Sequence, residues 1–413
     1  MRPYETYKPC VQDWLGEIPS GWQVLRAKYV FREIDERSVS GDEDLLSVSH
    51  LTGVTLRSEK NVTMFMAEDY TGAKLCRPGD LVINTMWAWM GALGVSLNTG
   101  IVSPAYGVYR KTTHKLLPNY ADWLLRTPQY VAEYTRRSTG VNSSRLRLYP
   151  DRFLDMPILI PPPEDQDRIV TFLNQKTAEI DAAIAKKERL ISLMSYQKKI
   201  LVQRVVTSGL IDGIPMRDSG VEWIGEIPSH WTIKRVRATF QNLDSRRIPL
   251  SGEQRGKMTN RRYDYYGASG AIDKVDDYLF EEPLILIAED GANLAMRNLR
   301  LAFIASGKYW VNNHAHILKP LAGNMVYLCE ALECVDYNPL ITGAAQPKLT
   351  KDALKGVGIP FPPPEEQDAI ASFIFDAEKK YNEMENRLRR EITLLADLKQ
   401  ATIANVVTGK IKV

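Results

Sequence analysis

Residues 14–22 read WLGEIPSGW, and residues 223–231 repeat this block as WIGEIPSHW, with seven of nine positions identical at an offset of 209. A second pair of blocks follows in the same order. Residues 161–167 read PPPEDQD and residues 362–368 read PPPEEQD, at an offset of 201. Two such matches in one order indicate an internal duplication, and the two offsets mean that the first copy is eight residues longer between its blocks.

The segments that lie between the blocks differ strongly. Residues from about 35 to 150 and from about 244 to 345 share almost no sequence, although nearly identical blocks frame them. Drift after duplication is one explanation. We favour the other, in which each variable segment does the same job on a different target.

A long helix is predicted after each run of three prolines. Proline is tolerated in the first helical turn, and the acidic residues that follow suit the positive end of the helix dipole. In the first copy, residues 165–207 contain neither proline nor glycine, and Gly209 is a stop signal. Such a helix spans on the order of 65 Å.

The apolar residues of these helices recur with a heptad pattern. Stripes of this kind have to pack against a partner helix, most simply against each other as an antiparallel pair. Polar members of the stripes, such as Lys187, Glu378 and Glu385, are expected to pair across the helices or to contact a partner protein. Two separate core helices are the alternative.

The composition is that of an ordinary globular protein, with 44% apolar and 25% charged residues and a net charge of only +3. Basic and acidic residues number 19 and 17 in residues 1–163, and 18 and 18 in residues 209–364. Bulk charge therefore does not identify a nucleic-acid binder, and any DNA contact has to rest on local clusters.

The sequence also carries signals of location. It lacks an apolar run long enough for a membrane span, and its first residues lack the apolar core of a signal peptide. Its four cysteines show no CxxC spacing, which favours free thiols in a reducing cytoplasm. We therefore expect a cytoplasmic protein without a membrane partner.

The duplicated Trp-(Leu/Ile)-Gly-Glu-Ile-Pro-Ser-x-Trp blocks, the duplicated proline blocks and the variable segments between them resemble the specificity subunit of type I restriction-modification systems. The resemblance covers essentially the whole chain. It implies an α+β fold with two globular target recognition domains in pseudo-two-fold tandem repeat, separated by two long antiparallel coiled-coil helices. The domains would be residues 1–163 and 209–364, and the spacer helices residues 164–208 and 365–413.

The same resemblance implies the function. The chain would be a non-catalytic subunit in which each domain reads one part of a bipartite, asymmetric target in double-stranded DNA. The helices would set the gap between the half-sites and dock two methyltransferase subunits, and restriction/translocase subunits would complete the enzyme. No cofactor is expected on this chain, because S-adenosylmethionine and ATP with Mg²⁺ would bind the partner subunits.

Two other kinds of protein stay open. One is a self-contained DNA-modifying enzyme, a nuclease or a methyltransferase, that uses the duplication to dimerise internally. The motif Ser-Pro-Ala-Tyr at residues 103–106 lacks the second proline of adenine methyltransferases, and no Gly-x-x-x-x-Gly-Lys-[Ser/Thr] phosphate loop is present. No Cys/His cluster has zinc-ligand spacing, and His314 and His316 could bind a metal only with a third ligand from a distant part of the chain, so no metal is expected. The other is an adaptor that no longer binds DNA.

In the first variable segment, a basic stretch of twelve residues without any acid encloses a polar loop. Such groups suit phosphate contacts and base-edge hydrogen bonds. The candidate DNA-binding residues are Arg136, Arg137, Asn142, Ser143, Ser144, Arg145 and Arg147. The corresponding loop of the second copy offers Gln346 and Lys348. A merely solvated loop is the alternative.

The second variable segment holds a denser basic cluster that contains the single acid Glu253 and is followed at once by tyrosines. Basic residues with interleaved aromatic residues are typical of phosphate clamping. The candidates are Arg246, Arg247, Arg255, Lys257, Arg261, Arg262 and Tyr263. A solvated run of charges is the alternative.

Trp87 and Trp89 follow the apolar run at residues 81–83. They alternate, so they would share one face if the strand continued, and packing in the core is the expected role. The corresponding place in the second copy has no tryptophan.

Overall fold

The structure is a computed structural model and describes residues 2–60, 69–141, 146–343 and 346–413. These residues form two compact units. The first comprises the chain up to Lys187 together with Arg389–Val413, and the second comprises Glu188–Leu388. Both units combine strands with helices, which confirms the expected α+β class. Among the described residues, no helix has both the length and the apolar character needed to cross a lipid bilayer.

The strands and helices that start in the first unit all do so before Lys187, and the last of these helices continues past this residue into the second unit. Its strands are β1 (Tyr7–Pro9), β2 (Glu17–Pro19), β3 (Gln23–Arg26), β4 (Phe31–Glu33), β5 (Leu46–Ser49), β6 (Gly53–Leu56), β7 (Lys74–Cys76), β8 (Leu81–Ile83), β9 (Leu93–Val95), β10 (Gly100–Val102), β11 (Gly107–Lys111) and β12 (Pro157–Ile160). Its helices are α1 (Pro118–Leu125), α2 (Pro128–Arg137), α3 (Pro150–Leu154) and α4 (Pro163–Ser208).

The second unit contains the remaining elements, and its last helix continues into the first unit. Its strands are β13 (Met216–Asp218), β14 (Glu226–Pro228), β15 (Thr232–Arg235), β16 (Phe240–Asn242), β17 (Tyr263–Gly267), β18 (Gly270–Val275), β19 (Leu284–Ala288), β20 (Ala302–Ala305), β21 (Tyr309–Val311), β22 (Ala315–Pro320), β23 (Ile341–Thr342), β24 (Lys348–Leu349) and β25 (Gly358–Phe361). Its helices are α5 (Val236–Thr239), α6 (Gly252–Gly256), α7 (Asn293–Met296), α8 (Met325–Cys334), α9 (Lys351–Gly356) and α10 (Pro364–Val407).

Each unit is built on a four-stranded antiparallel sheet with the same connectivity. The strand order is β4-β11-β8-β9 in the first unit and β16-β22-β19-β20 in the second. The inner strands β8 and β19 are buried along their whole length, as their uninterrupted apolar sequences predict. The variable segments therefore share a fold although they share almost no sequence.

The additions to the common sheet differ between the units. The first unit adds the hairpin β5-β6 and the pair β7-β10. The second unit adds the sheet β18-β17-β21, in which β17 and β21 run parallel. A constant sheet thus carries two different sets of strands.

The duplicated blocks join in a small sheet in each unit. Strand β3 pairs with β12, and β15 pairs with β25 in the same antiparallel register. The second tryptophan of each block is buried, and its indole Nε1 donates to an acid in the first turn of the following long helix. The distance is 3.1 Å from Trp22 to Asp165 Oδ2, and 3.0 Å from Trp231 to Glu366 Oε2.

The long helices end in the core of a unit. Gly209 and Gly409 follow their last turns with φ of +79° and +75°, a conformation that favours glycine. In the first unit, the Tyr120 hydroxyl donates to the Val407 carbonyl at 3.0 Å. In the second, the Tyr327 hydroxyl donates to the Val206 carbonyl at 3.1 Å. Each unit therefore encloses the end of the helix that belongs to the other copy.

The two long helices pack against each other in antiparallel orientation. In the first unit, Lys399 binds Asp181 at 2.7 Å and Lys187 binds Glu391 at 2.6 Å, so the contacts advance along α4 as they retreat along α10. In the second unit, Lys198 and Glu378 are 3.3 Å apart. These pairs confirm the expected helix pairing, and the alternative of two separate core helices is wrong.

The cysteines agree with the sequence analysis, and the two ends of the described chain lie close together. All four cysteines are free, and burial raises the pKa of the Cys76 thiol to about 11. In the first unit, an isolated antiparallel bridge joins Arg2 to Lys412. Both ends of the described chain therefore lie in the first unit.

Candidate nucleic-acid interface

In the first unit, Arg136 and Arg137 lie in the last turn of α2 and share one acid. The Arg136 guanidinium forms a two-pronged contact with the Glu133 carboxylate, with both distances 2.7 Å, and Arg137 Nε donates to the same carboxylate at 2.6 Å. Burial raises the pKa of Glu133, but the two guanidinium groups outweigh it, so the net shift is downward. The side chain of Arg136 is 66% exposed, whereas that of Arg137 is 18% exposed and also lies 3.5 Å from Asp155.

The polar loop of the first unit is closed by backbone pairing. Thr139 and Arg147 exchange two hydrogen bonds, and the Leu148 amide donates to the Thr85 carbonyl at 2.9 Å. Arg147 is exposed, and its guanidinium lies 5.4 Å from the ring centroid of Tyr149. The other candidates of this loop, Asn142, Ser143, Ser144 and Arg145, lie outside the described residues.

In the second unit, the corresponding closure is fixed by charge as well as by backbone pairing. The Leu349 amide donates to the Glu289 carbonyl at 2.8 Å. The carboxylate of Glu289 binds Lys348 at 3.2 Å and also binds Arg247, whose side chain is only 15% exposed. Gln346, at the tip of this loop, is exposed. Lys348 and Arg247 therefore meet on one acid, although 101 residues separate them in the sequence.

A buried histidine, His316, supports the loop closure through hydrogen bonds. His316 is 1% exposed; its Nδ1 lies 2.7 Å from Asp244 Oδ2, and its Nε2 lies 2.9 Å from the Leu349 carbonyl. The two ring nitrogens thus contact the Asp244 carboxylate and the backbone of β24, so the imidazole links the two. Burial raises the pKa of Asp244, but hydrogen bonds from His316 and the Ile317 amide outweigh it and lower this pKa to about 2.

Asp244, Glu289 and His316 are also the residues that come nearest to a metal site. Within the described ranges, this is the group whose ligand atoms all lie within 4.8 Å of one another. Arg247 and Lys348 already neutralise Glu289, however, and both nitrogens of His316 are engaged. The group therefore works as a neutralised network that ties β24 to the common sheet.

Most of the basic cluster in the second unit is paired. The Arg246 guanidinium lies 3.4 Å from Glu282 and 4.6 Å from the ring centroid of Phe280. Arg255 and Arg261 both bind Asp273, the latter at 3.0 Å.

Three further candidates of this cluster are more open. Lys257 is 75% exposed and pairs with its helical neighbour Glu253 at 2.6 Å. Arg262 is exposed, and among the described residues it forms no ion pair. Tyr263 is half-buried, with its ring 5.1 Å from that of Tyr278. The side chains best placed to meet a phosphate backbone are therefore Arg136, Arg147, Lys257 and Arg262.

Sequence reasoning missed the acids that fix these cations. Glu133 was visible in principle, because it stands three and four residues before the two arginines on one helix. Glu289 and Asp273 were not, since the tertiary fold brings them to Arg247 and Arg255 across 42 and 18 residues.

The expected core position of Trp87 is wrong. The chain leaves the strand at Asn84 and forms a short 3₁₀ turn at Ala88–Met90, which leaves Trp87 52% exposed. The alternation that predicted a shared buried face holds only while a strand continues.

Comparison with known proteins shows what the chain is similar to. Residues 228–394 match the family model described as type I restriction modification DNA specificity domain. A putative type I restriction enzyme specificity subunit of Haemophilus influenzae is 35% identical over 27% of this chain and 28% of its own length. The putative type I restriction enzyme MjaX specificity subunit of Methanocaldococcus jannaschii is 24% identical over 97% of this chain and 96% of its own length.

Solved structures agree in fold. A chain from a study of complex assembly and conformational transition of the type I R-M system has a TM-score of 0.69 at 16% identity, over 95% of this chain and 99% of that chain. The HsdS subunit of Thermoanaerobacter tengcongensis has a TM-score of 0.51 at 15% identity, over 95% and 98%. With its duplicated blocks and paired long helices, the chain is similar in sequence to type I restriction enzyme specificity subunits and shares the fold of the solved HsdS subunit.

Proposed function

We propose that this chain recognises DNA for a type I restriction-modification complex, and that each unit reads one part of a bipartite, asymmetric target in double-stranded DNA. The observation that carries the proposal is the pair of equal four-stranded sheets bearing different strands and different charged loops. A target with two dissimilar halves requires two DNA-binding units, and these can share one scaffold while their surfaces differ.

The chain itself performs no catalysis in this proposal. It directs two methyltransferase subunits and the restriction/translocase subunits to the target. Those partners bind S-adenosylmethionine and ATP with Mg²⁺, and the complex works in the cytoplasm. The internal neutralisation of Asp244, Glu289 and His316 supports this division, because none of the three is left to hold a catalytic metal.

Methylation mapping tests the proposal. The chain is co-expressed with the methyltransferase subunit of its restriction-modification system, and modified bases are mapped by long-read sequencing. One split motif with a fixed gap is expected, and an unsplit motif would contradict the two-reader scheme. The purified chain, given S-adenosylmethionine and the same DNA, should transfer no methyl groups; turnover would show that it is an enzyme in its own right.

A further inference from the structure

The end of the β8-β9 hairpin in the first unit exposes an apolar surface. Met86 and Trp87 are 44% and 52% exposed, and Met90 is 38% exposed. Nearby side chains are in contrast almost completely buried, among them Ala88 in the same turn. We call Met86, Trp87 and Met90 the hairpin-end patch.

The hairpin-end patch is held outward by a fixed turn. Asn84 is buried, its Nδ2 donates to the Tyr106 hydroxyl at 3.0 Å, and its Oδ1 accepts from the Met86 amide at 3.2 Å. The Trp87 amide donates to the Asn84 carbonyl at 3.0 Å. Because these bonds fix the backbone on both sides, the exposure of the patch is built into the turn. An apolar surface held out in this way indicates an interaction site.

The patch adjoins the candidate DNA-binding residues of the first unit. Thr85, one residue before it, accepts the hydrogen bond from Leu148 that closes the polar loop, at 2.9 Å. The Trp89 carbonyl accepts from the Thr135 hydroxyl at 3.4 Å, and Thr135 directly precedes Arg136 on α2. The patch therefore lies beside the exposed cations Arg136 and Arg147, whose charge complements a phosphate backbone.

The second unit has different chemistry at the matching place. There the loop closes on Glu289 through the Leu349 amide, as it closes on Thr85 in the first unit. The next residue is Asp290, paired with His314 at 2.8 Å, and Gly291 follows. The backbone closure is thus the same in both units, whereas the residues directly after it differ. Met86 and Trp87 follow it in the first unit, and Asp290 and Gly291 follow it in the second, where the exposed apolar residues Met296 and Leu299 come only later in the hairpin end. A structural requirement of the sheet would have preserved the chemistry together with the backbone.

We propose that the hairpin-end patch, centred on Trp87, contacts bases of one half-site and contributes to its sequence specificity. The inference rests on the proposed DNA-reading function. The phosphate contacts of Arg136 and Arg147 place the duplex, and the apolar side chains of the patch meet the apolar parts of base edges, where discrimination between bases arises. Trp87 has no counterpart in the second unit, where residues 289–301 contain no tryptophan, so its influence is confined to one half of the target.

The experiment uses the chain in complex with its methyltransferase and a duplex that carries the mapped split motif. Affinity is measured for the motif and for duplexes altered in one half at a time. Trp87→Ala is expected to weaken binding of the motif by on the order of tenfold, and to lessen discrimination at one half-site only. Trp87→Phe should keep most of the affinity.

Leu97→Ala is the matched control. Leu97 is 73% exposed and follows Val95, which pairs with Leu81 at the opposite end of the same two strands. This variant should bind like the unaltered chain, and thermal unfolding should be equal for all three variants. Unchanged affinity and unchanged specificity of Trp87→Ala would overturn the proposal, as would an equal loss of discrimination at both half-sites. If the unaltered complex does not prefer the motif at all, the proposed function fails instead.

Discussion

The indole Nε1 of Trp22 donates a hydrogen bond to Asp165 Oδ2 at 3.1 Å, across 143 residues of sequence. This contact joins the two duplicated blocks of the first copy, and Trp231 repeats it with Glu366 in the second. The two duplicated blocks of each copy therefore contact each other, and this contact fixes the start of a long helix to the sheet of its own unit.

The hydrogen bond between the tryptophan and the acid should contribute measurably to the free energy of unfolding. Trp22→Phe keeps the aromatic packing and removes the donor, so we expect a loss of about 2 kcal/mol in the free energy of unfolding, as for a hydrogen bond to a charged group. Trp231→Phe should cost a similar amount. Urea unfolding measures the loss, and hydrogen exchange localises it to the first or the second unit. Trp89→Phe, which removes an indole bond to the Met86 carbonyl at the surface, is the control and should cost less.

The glutamine next to each acid also holds the start of the long helix in place. Gln166 is fully buried; its side chain accepts from the Leu117 amide at 2.8 Å and donates to the Lys115 and Pro161 carbonyls. Gln166→Leu removes the partner of three backbone groups and leaves the buried Pro161 carbonyl without it, so we expect a loss of roughly 2–4 kcal/mol in the free energy of unfolding. The measurement is again urea unfolding. Gln175→Leu, on an exposed position of the same helix, should change stability by less than about 0.5 kcal/mol. Equal losses for the two variants would contradict the assigned role.

The sequence predicted the parts of this fold that are written twice. The duplicated blocks, the long helices and the pairing of these helices could be predicted from repeated motifs and heptad spacing, because both signals are local or periodic. The sequence did not predict the sheet that both variable segments share, because β8 and β19 are both buried but consist of different residues. The acidic partners of Arg247 and Arg255 could not be predicted either, because the tertiary fold and not sequence spacing sets these distances.

The two arginines at the end of α2 are predicted to have separate roles. Arg136→Ala removes an exposed cation, so it should weaken DNA binding and flatten the salt dependence of affinity, with little effect on stability. Arg137→Ala removes a largely buried partner of Glu133 and Asp155 and should mainly lower stability, by roughly 1–3 kcal/mol. Affinity at several salt concentrations and urea unfolding distinguish the two effects. If Arg137→Ala alone weakened binding at full stability, the assignment would be reversed.

The stability of the second unit should depend on pH through Asp244. Its folded pKa, lowered from 3.8 to about 2, is below the value in the unfolded chain. A lowered pKa stabilises the folded state above the unfolded value, and this contribution is lost as the pH falls from about 4 towards 2. The shift corresponds to about 2 kcal/mol at neutral pH. Asp244→Asn cannot make this contribution, so the difference in unfolding free energy between it and the unaltered chain should shrink by about that amount between pH 5 and pH 2. Urea unfolding followed over this range measures the difference. A constant difference for Asp244→Asn would show that the buried pair with His316 does not carry the acid sensitivity.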